Sequence, residues 1–158
     1  MKIHYITSDL LNILSHEADI SPRKRKNYNF HHTENALCHR LLNAIEPGTY
    51  VQPHCHDDKD ETMIMVRGKM GLVFFTESGT IEQFRVLAPS SDCVGVNIAR
   101  GVFHSVIALT PGTLFFESKE GPYRALHKHE CATFAPEPQL PAAKDYLASL
   151  SALFEGVK

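Results

Sequence analysis

The sequence predicts an all-β barrel flanked by a short helix at each end. Three observations carry this. Between residues 36 and 118, short apolar runs alternate with Gly-, Pro- and Asp-rich separators, as in a sandwich or barrel of consecutive short strands. On either side the apolar spacing turns helical. Within the β region, His54 and His56 stand two apart in a strand-like run, where a core strand carries Val or Ile.

The first helix is expected over residues 8–18, SDLLNILSHEA. Leu10, Leu11, Leu14 and Ala18 share its apolar face, and Ser8 or Asp9 is placed to cap it. The next stretch, SPRKRKNYNFHH (21–32), holds Pro22 and two Asn and reads as a loop. Its basic run has no aromatic stacking platform and reads as a solvated connector.

The strands then follow as ALCHRLLNAI, TYVQPHCH, ETMIMVRGKMGLVFFT, IEQFRVL, DCVGVNIA, FHSVIALT and GTLFFES. EPG, DDKD, ESGT, APSSD, ARG and TPG separate them, and ESGT suits a hairpin turn. Beyond KEGPY the chain is loop-like through HKHECATFAPEPQLP. It finishes in AAKDYLASLSALFEG, where Leu147, Leu150, Leu153 and Phe154 mark one helical face.

The layout is therefore a helix and connector over 1–35, a barrel over 36–118, and a flanking loop and helix over 119–158. At 158 residues these make one domain, long enough to bury a core without disulfides.

Composition narrows the function. Charged residues are 22% of the chain, net charge is −2 and the pI is near 6.5, which argues against a nucleic-acid or membrane-surface binder. No apolar run approaches the roughly 18 residues of a membrane span, and the N-terminus has no secretory h-region. Cys38, Cys55, Cys93 and Cys131 form no CxxC pair; reduced thiols and a cytoplasmic location follow as expectations. The ten histidines are the compositional oddity.

Alternate residues of a strand face one way, so His54 and His56 present both imidazoles to one side and Cys55 to the other. Glu61 follows the polar turn DDKD, which can bring its carboxylate alongside. Three N/O donors converging on a point are what a divalent metal requires. In GVNIARGVFHSVIAL, His104 follows a turn at Gly101 and opens an apolar strand, a position from which it can supply a fourth ligand.

These residues resemble the cupin motifs. Gly48, His54, His56, Glu61 and Gly68 match every position of the first motif: Gly, five residues, His-x-His, four residues, Glu, six residues, Gly. The second motif is matched in part. Gly101 and His104 are present, Ala99 replaces its Pro, Ala108 its Asn, and its leading Gly is displaced to Gly95.

Within the cupins the chain is similar to the WbuC-type cupin-fold metalloproteins. Arg25-Lys26-Asn27, the stretch from Leu41 to His54, and Phe116 to Tyr123 carry that likeness. It implies a double-stranded β-helix, or jelly-roll barrel, with a metal on His54, His56, Glu61 and His104. It also implies an association with surface-polysaccharide gene clusters.

The donor set suits Fe, Zn, Mn, Ni or Co. Arg25, Asn27 and His31 before the barrel, and Lys119 and Tyr123 after it, are expected to fold over its mouth. Arg25, Asn27 and Met63 are candidates for a substrate pocket, with Met63 equally suited to core filling. Tyr123, Lys119 and His31 are candidates for proton transfer. Phe74, Phe75, Phe84, Phe103, Phe115 and Phe116 read as core, and His127 and His129 as surface.

The leading expectation is a metal-dependent enzyme on a small oxygenated metabolite such as a sugar or sugar nucleotide. Isomerase or epimerase chemistry competes with an Fe(II)-dependent dioxygenase, and a non-enzymatic ligand-binding module is the alternative. Partners are expected to be a small molecule and a second copy of the chain in a homodimer.

Overall fold

The computed structural model describes residues 3–157. Its first helix, α1 (Ser8–Ile20), is capped by Thr7, whose side-chain oxygen accepts from the Leu10 N–H at 3.3 Å. The cap thus lies one residue before the expected Ser8 or Asp9, because Thr7 is the last residue with extended backbone.

Eight strands follow: β1 (Arg25–Asn29), β2 (Cys38–Ile45), β3 (Glu61–Arg67), β4 (Met70–Phe75), β5 (Ile81–Leu87), β6 (Gly95–Ile98), β7 (Phe103–Ala108) and β8 (Thr113–Glu120). They form two antiparallel sheets, β1-β2-β8-β3-β6 and β5-β4-β7. A 3₁₀ turn at Lys128–Glu130 and a second helix, α2 (Ala142–Ala152), complete the chain. This is the cupin double-stranded β-helix with a helix at each end.

Two local expectations are corrected. The basic stretch expected as a loop contains β1, because Arg25–Asn29 pair with Ile45–Leu41 of β2. An edge strand tolerates charge where a central one does not, so tertiary pairing overrides the composition. Conversely, TYVQPHCH forms no strand. His54 makes only isolated bridges, to His104 and to Cys131. Pro53 has no N–H to donate, which interrupts any continuous ladder there.

Parity explains the core. Ile45 and Phe115 from the larger sheet meet Met70, Leu72 and Val106 from the smaller one, all nearly inaccessible. Neighbours of opposite parity, Leu42, Ala44 and Leu114, face outward and are covered by Leu14 and Ala18 of α1. On the other sheet, Val73, Phe75 and Ile107 are covered by Leu147, Leu150 and Phe154 around α2. Phe75 and Phe115 are buried as expected; Phe84 is 41% exposed and lies edge-on to Phe154.

The seating of Phe154 depends on Gly71 in β4. A Cβ at that position stands 2.6 Å from the Phe154 ring. Gly71→Ala is therefore expected to cost about 1–3 kcal/mol of overpacking, read as a lowered denaturant midpoint. Phe154→Leu should recover part of the loss; a midpoint unmoved by Gly71→Ala contradicts the contact.

Among the described residues no helix is long and apolar enough to cross a membrane. All four cysteines are free thiols.

Candidate metal centre

The segment carrying His54 and His56 is held from both sides. On one side His54 and His104 exchange backbone hydrogen bonds at 3.0 and 2.9 Å, pinning the segment to β7. On the other, the Cys55 N–H donates to the Glu130 carbonyl and the Ala132 N–H donates to the Pro53 carbonyl, both at 2.9 Å. Gly101, at φ 80°, takes the left-handed turn before β7 and donates its N–H to the His56 carbonyl at 2.8 Å. The two histidine-bearing stretches, far apart in sequence, are thus fixed to each other through backbone.

The orientation of the rings follows. The Nδ1–H of His54 donates to the Gln52 carbonyl at 3.0 Å, and that of His104 to the Val102 carbonyl at 2.9 Å. With Nδ1 so engaged, each Nε2 keeps a free lone pair facing the barrel interior, the arrangement that orients metal-ligating histidines.

Glu61 opens β3 and reaches the same point. Its Oε1 is 2.6 Å from His104 Nε2, yet the two are not aligned as a hydrogen bond, and both atoms are buried without a partner. The ligand atoms of His54, Glu61 and His104 all lie within 4.8 Å of one another. Burial normally forbids orphaned polar atoms in this number. A cation between them resolves the anomaly.

His56 stands at the margin. Its Nε2 is also buried and unpartnered, and lies 3.7 Å from Glu61 Oε2. Of the four predicted ligands, the structure thus gathers three tightly and sets the fourth beside them. Cys55 is buried and stays out of the triad, its thiol donating to Asp57 Oδ1 at 3.9 Å.

The electrostatics suit ligation. Burial outweighs every opposing influence on His54 and pushes its pKa down to about 3; burial lowers that of His56 as well. Both imidazoles are neutral at physiological pH. Burial of Glu61 acts to raise its pKa, but contact with His104 and the charge of Lys119 outweigh it and hold the carboxyl below the ordinary glutamate value. No proton has to leave these three when an ion arrives.

Next to the triad runs a row of polar side chains on the inner face of the larger sheet. Lys119 is paired with Glu61 in the β3–β8 register, and its Nζ lies 3.6 Å from Glu61 Oε2 and 2.5 Å from Glu117 Oε1. Asn43 Nδ2 donates to Glu117 Oε2 at 2.8 Å. Burial acts to lower the Lys119 pKa, yet Glu117 and Glu61 raise it, so the side chain is held as an ammonium. Asn43 and Glu117 were not anticipated as site residues. The spacing of Glu117 and Lys119, two apart on one strand, was the available signal.

A cavity of about 330 Å³ opens onto this row. Arg25, Asn27 and Met63, the predicted pocket residues, all line it, together with His54, Glu61 and His104. An adjoining compartment of about 360 Å³ includes His56, Lys59 and Arg124. Lys119 and Tyr123 line both compartments.

His31 is not brought to the site. Its Nδ1 accepts from the Arg40 N–H at 3.2 Å and its ring stacks on His39 at 4.0 Å. The turn between β1 and β2 carries it past the mouth. His129 is exposed and bonds Asp57, as a surface residue would.

Comparison with known proteins bears on the fold. A family model described as a domain of unknown function (DUF6016) matches residues 6–87. No curated protein matches the chain. Among solved structures it is similar to KdgF from Halomonas sp., at 20% identity and TM-score 0.52, over 67% of this chain and 86% of that one. It is also similar to TT1209 from Thermus thermophilus, at 18% identity and TM-score 0.52, over 76% and 97% of the two chains. A cupin-2 domain containing protein from Shewanella frigidimarina matches at 18% identity and TM-score 0.47, over 61% and 80%. At these identities the first two likenesses, each with a TM-score above 0.5, show the fold alone.

Proposed function

The chain belongs to the family of the domain of unknown function DUF6016, and we propose that this member is a metal-dependent cupin enzyme acting on a small oxygenated metabolite. The observation that carries the reading is the set of buried, unpartnered donor atoms on Glu61 and His104, converging with His54 at the wall of a cavity. A structural protein gains nothing from leaving such atoms unpaired, at a cost of about 1–3 kcal/mol each.

In this reading His54, Glu61 and His104 hold the ion, and His56 joins as the fourth ligand. Fe, Zn, Mn and Ni suit the nitrogen and oxygen donors, and the ligand group among the described residues holds no cysteine. When bound, the ion supplies Lewis-acid polarisation of a substrate oxygen or an activated water. The chain's own contribution is to shape the cavity, exclude bulk water and place Lys119 against the ligating Glu61. Lys119, held as an ammonium, is suited to donate a proton or to stabilise developing negative charge. Tyr123, 57% exposed at the mouth, is placed to close over a bound ligand.

The substrate class proposed is a sugar or sugar nucleotide. The likeness to WbuC-type proteins supports this, and with it a role in surface-polysaccharide chemistry.

Protein purified without added metal is expected to carry about one equivalent of a divalent transition ion. X-ray absorption should show only nitrogen and oxygen neighbours at the roughly 2.0–2.2 Å of such ligands. A shell that includes exchangeable water supports a reaction centre. A closed four-coordinate shell overturns the enzymatic reading in favour of a binding module, and a metal-free preparation that takes up no ion overturns both.

A further inference from the structure

The cavity beside the triad carries an unbalanced positive charge. Arg25 lies on the inner face of β1, opposite Ile45 of β2, and lines both compartments. The Lys119 ammonium in the same cavity is neutralised by Glu117 and Glu61. The Arg124 guanidinium is occupied by Glu130 and Asp58. Among the described residues Arg25 has no such partner. Burial, followed by repulsion from Arg23, is what acts on its guanidinium, and no carboxylate or hydrogen bond offsets either.

A half-buried cation left without a counter-ion is held at a cost, and folded chains tend to supply it with one. Arg23, which lines the same cavity, makes the deficit larger. A divalent ion on the triad enlarges it again. The planar fork of a guanidinium matches two oxygens of one anionic group, which an ammonium does not. Asn27, on the same face of β1 two residues on, adds an amide beside the fork.

We propose that the ligand of this cavity is an anion whose carboxylate or phosphate group docks on Arg25, leaving a hydroxyl or carbonyl oxygen of the same molecule toward His54, Glu61 and His104. This deepens the metal-site reading above and rests on it for the second half of the statement alone. Arg25 is then a binding and specificity residue. It selects acidic metabolites over neutral ones of equal size and fixes which end of the molecule meets the ion.

The test is titration of the full chain with three small probes, glycolate, inorganic phosphate and neutral ethylene glycol, by calorimetry. It is run on the wild type, Arg25→Gln and Arg25→Lys, with metal content measured on each sample. One or both anions should bind the wild type, and ethylene glycol should not. Arg25→Gln should weaken anion binding by about ten- to a hundred-fold, the worth of a charge-assisted bidentate pair. Arg25→Lys, which keeps the charge and loses the fork, should fall between. Preference for glycolate or for phosphate identifies the anionic group.

Because the guanidinium has no partner to lose, Arg25→Gln should melt no lower than the wild type; a clear drop in melting temperature overturns the idea of an unsatisfied cation. Equal anion affinity in the wild type and Arg25→Gln overturns the docking role, since the anion then sits on the ion or elsewhere. Failure of both anions to bind at tens of millimolar overturns it as well. Arg25-dependent binding in samples that hold no metal leaves the anion site standing and removes the metal-facing half. Full metal occupancy with no effect at Arg25 does the reverse.

Discussion

Glu61→Gln is expected to fold normally and to bind metal at least about a hundred-fold more weakly than the wild type. The exchange is nearly isosteric, so the packing around β3 survives, but the only anionic donor of the triad is gone. Even substitutions behind a metal ligand cost 10–100-fold, so loss of a direct donor sets that as the lower bound. The readout is thermal. An ion that binds only the folded chain at a hundred times its dissociation constant adds about 2.7 kcal/mol. For a domain of this size that raises the melting temperature by about 5–11 °C. The wild type should show this rise on metal addition and its reversal by a chelator; Glu61→Gln should show neither. A full rise in Glu61→Gln places the ion somewhere other than between Glu61 and the two histidines. His56→Ala separates the fourth ligand from the triad: a marginal role predicts a smaller loss than Glu61→Gln.

Glu130→Ala is expected to destabilise the protein by about 3 kcal/mol. The Glu130 side chain is inaccessible, and both its oxygens are fully used. Oε2 accepts from Arg124 at 2.5 Å and from the His127 N–H at 2.7 Å; Oε1 accepts from Arg124 and from the Asp57 N–H, each at 2.8 Å. Arg124 keeps 28% of its side chain exposed, so the loss falls at the lower end of the range for a broken buried pair. The consequence reaches the site, because the Glu130 backbone carbonyl is what anchors Cys55 between the two histidines. Metal affinity should therefore fall with stability, which separates this carboxylate from an ordinary surface acid. A variant that melts within a degree of the wild type contradicts the assignment.

The same carboxylate makes an acid prediction. The Arg124 guanidinium, above all, holds Glu130 well below the usual carboxylate range, with the Asp57 and His127 N–H groups assisting against burial. A group depressed in the folded state gives its full stability above its unfolded pKa. That stability drains away as the pH falls below the ordinary glutamate value of about 4.3. Unfolding free energy should therefore decline below about pH 4 in the wild type, and less steeply in Glu130→Ala.

Much of this was written along the chain. Short apolar runs between Gly and Pro separators placed β2 to β8, and 3.6-residue spacing placed both helices, because a buried face has to be apolar along its length. The His-x-His and Glu61 were legible because ligands that share a face must keep that spacing. What local pattern does not encode is pairing between distant segments. The basic stretch became β1 only because β2 offered an unpaired edge, and that pairing is what turned Arg25 and Asn27 inward. Pro53 stopped a strand that the apolar pattern implied, leaving backbone bonds from β7 and from the Glu130 turn to position His54. His31, close to Arg25 in sequence, was carried away by a turn onto His39. The sequence by itself determined which groups are available as donors and charges. Only the tertiary structure decided which of them meet, because convergence depends on strand register and on the backbone hydrogen bonds of segments remote from the ligands.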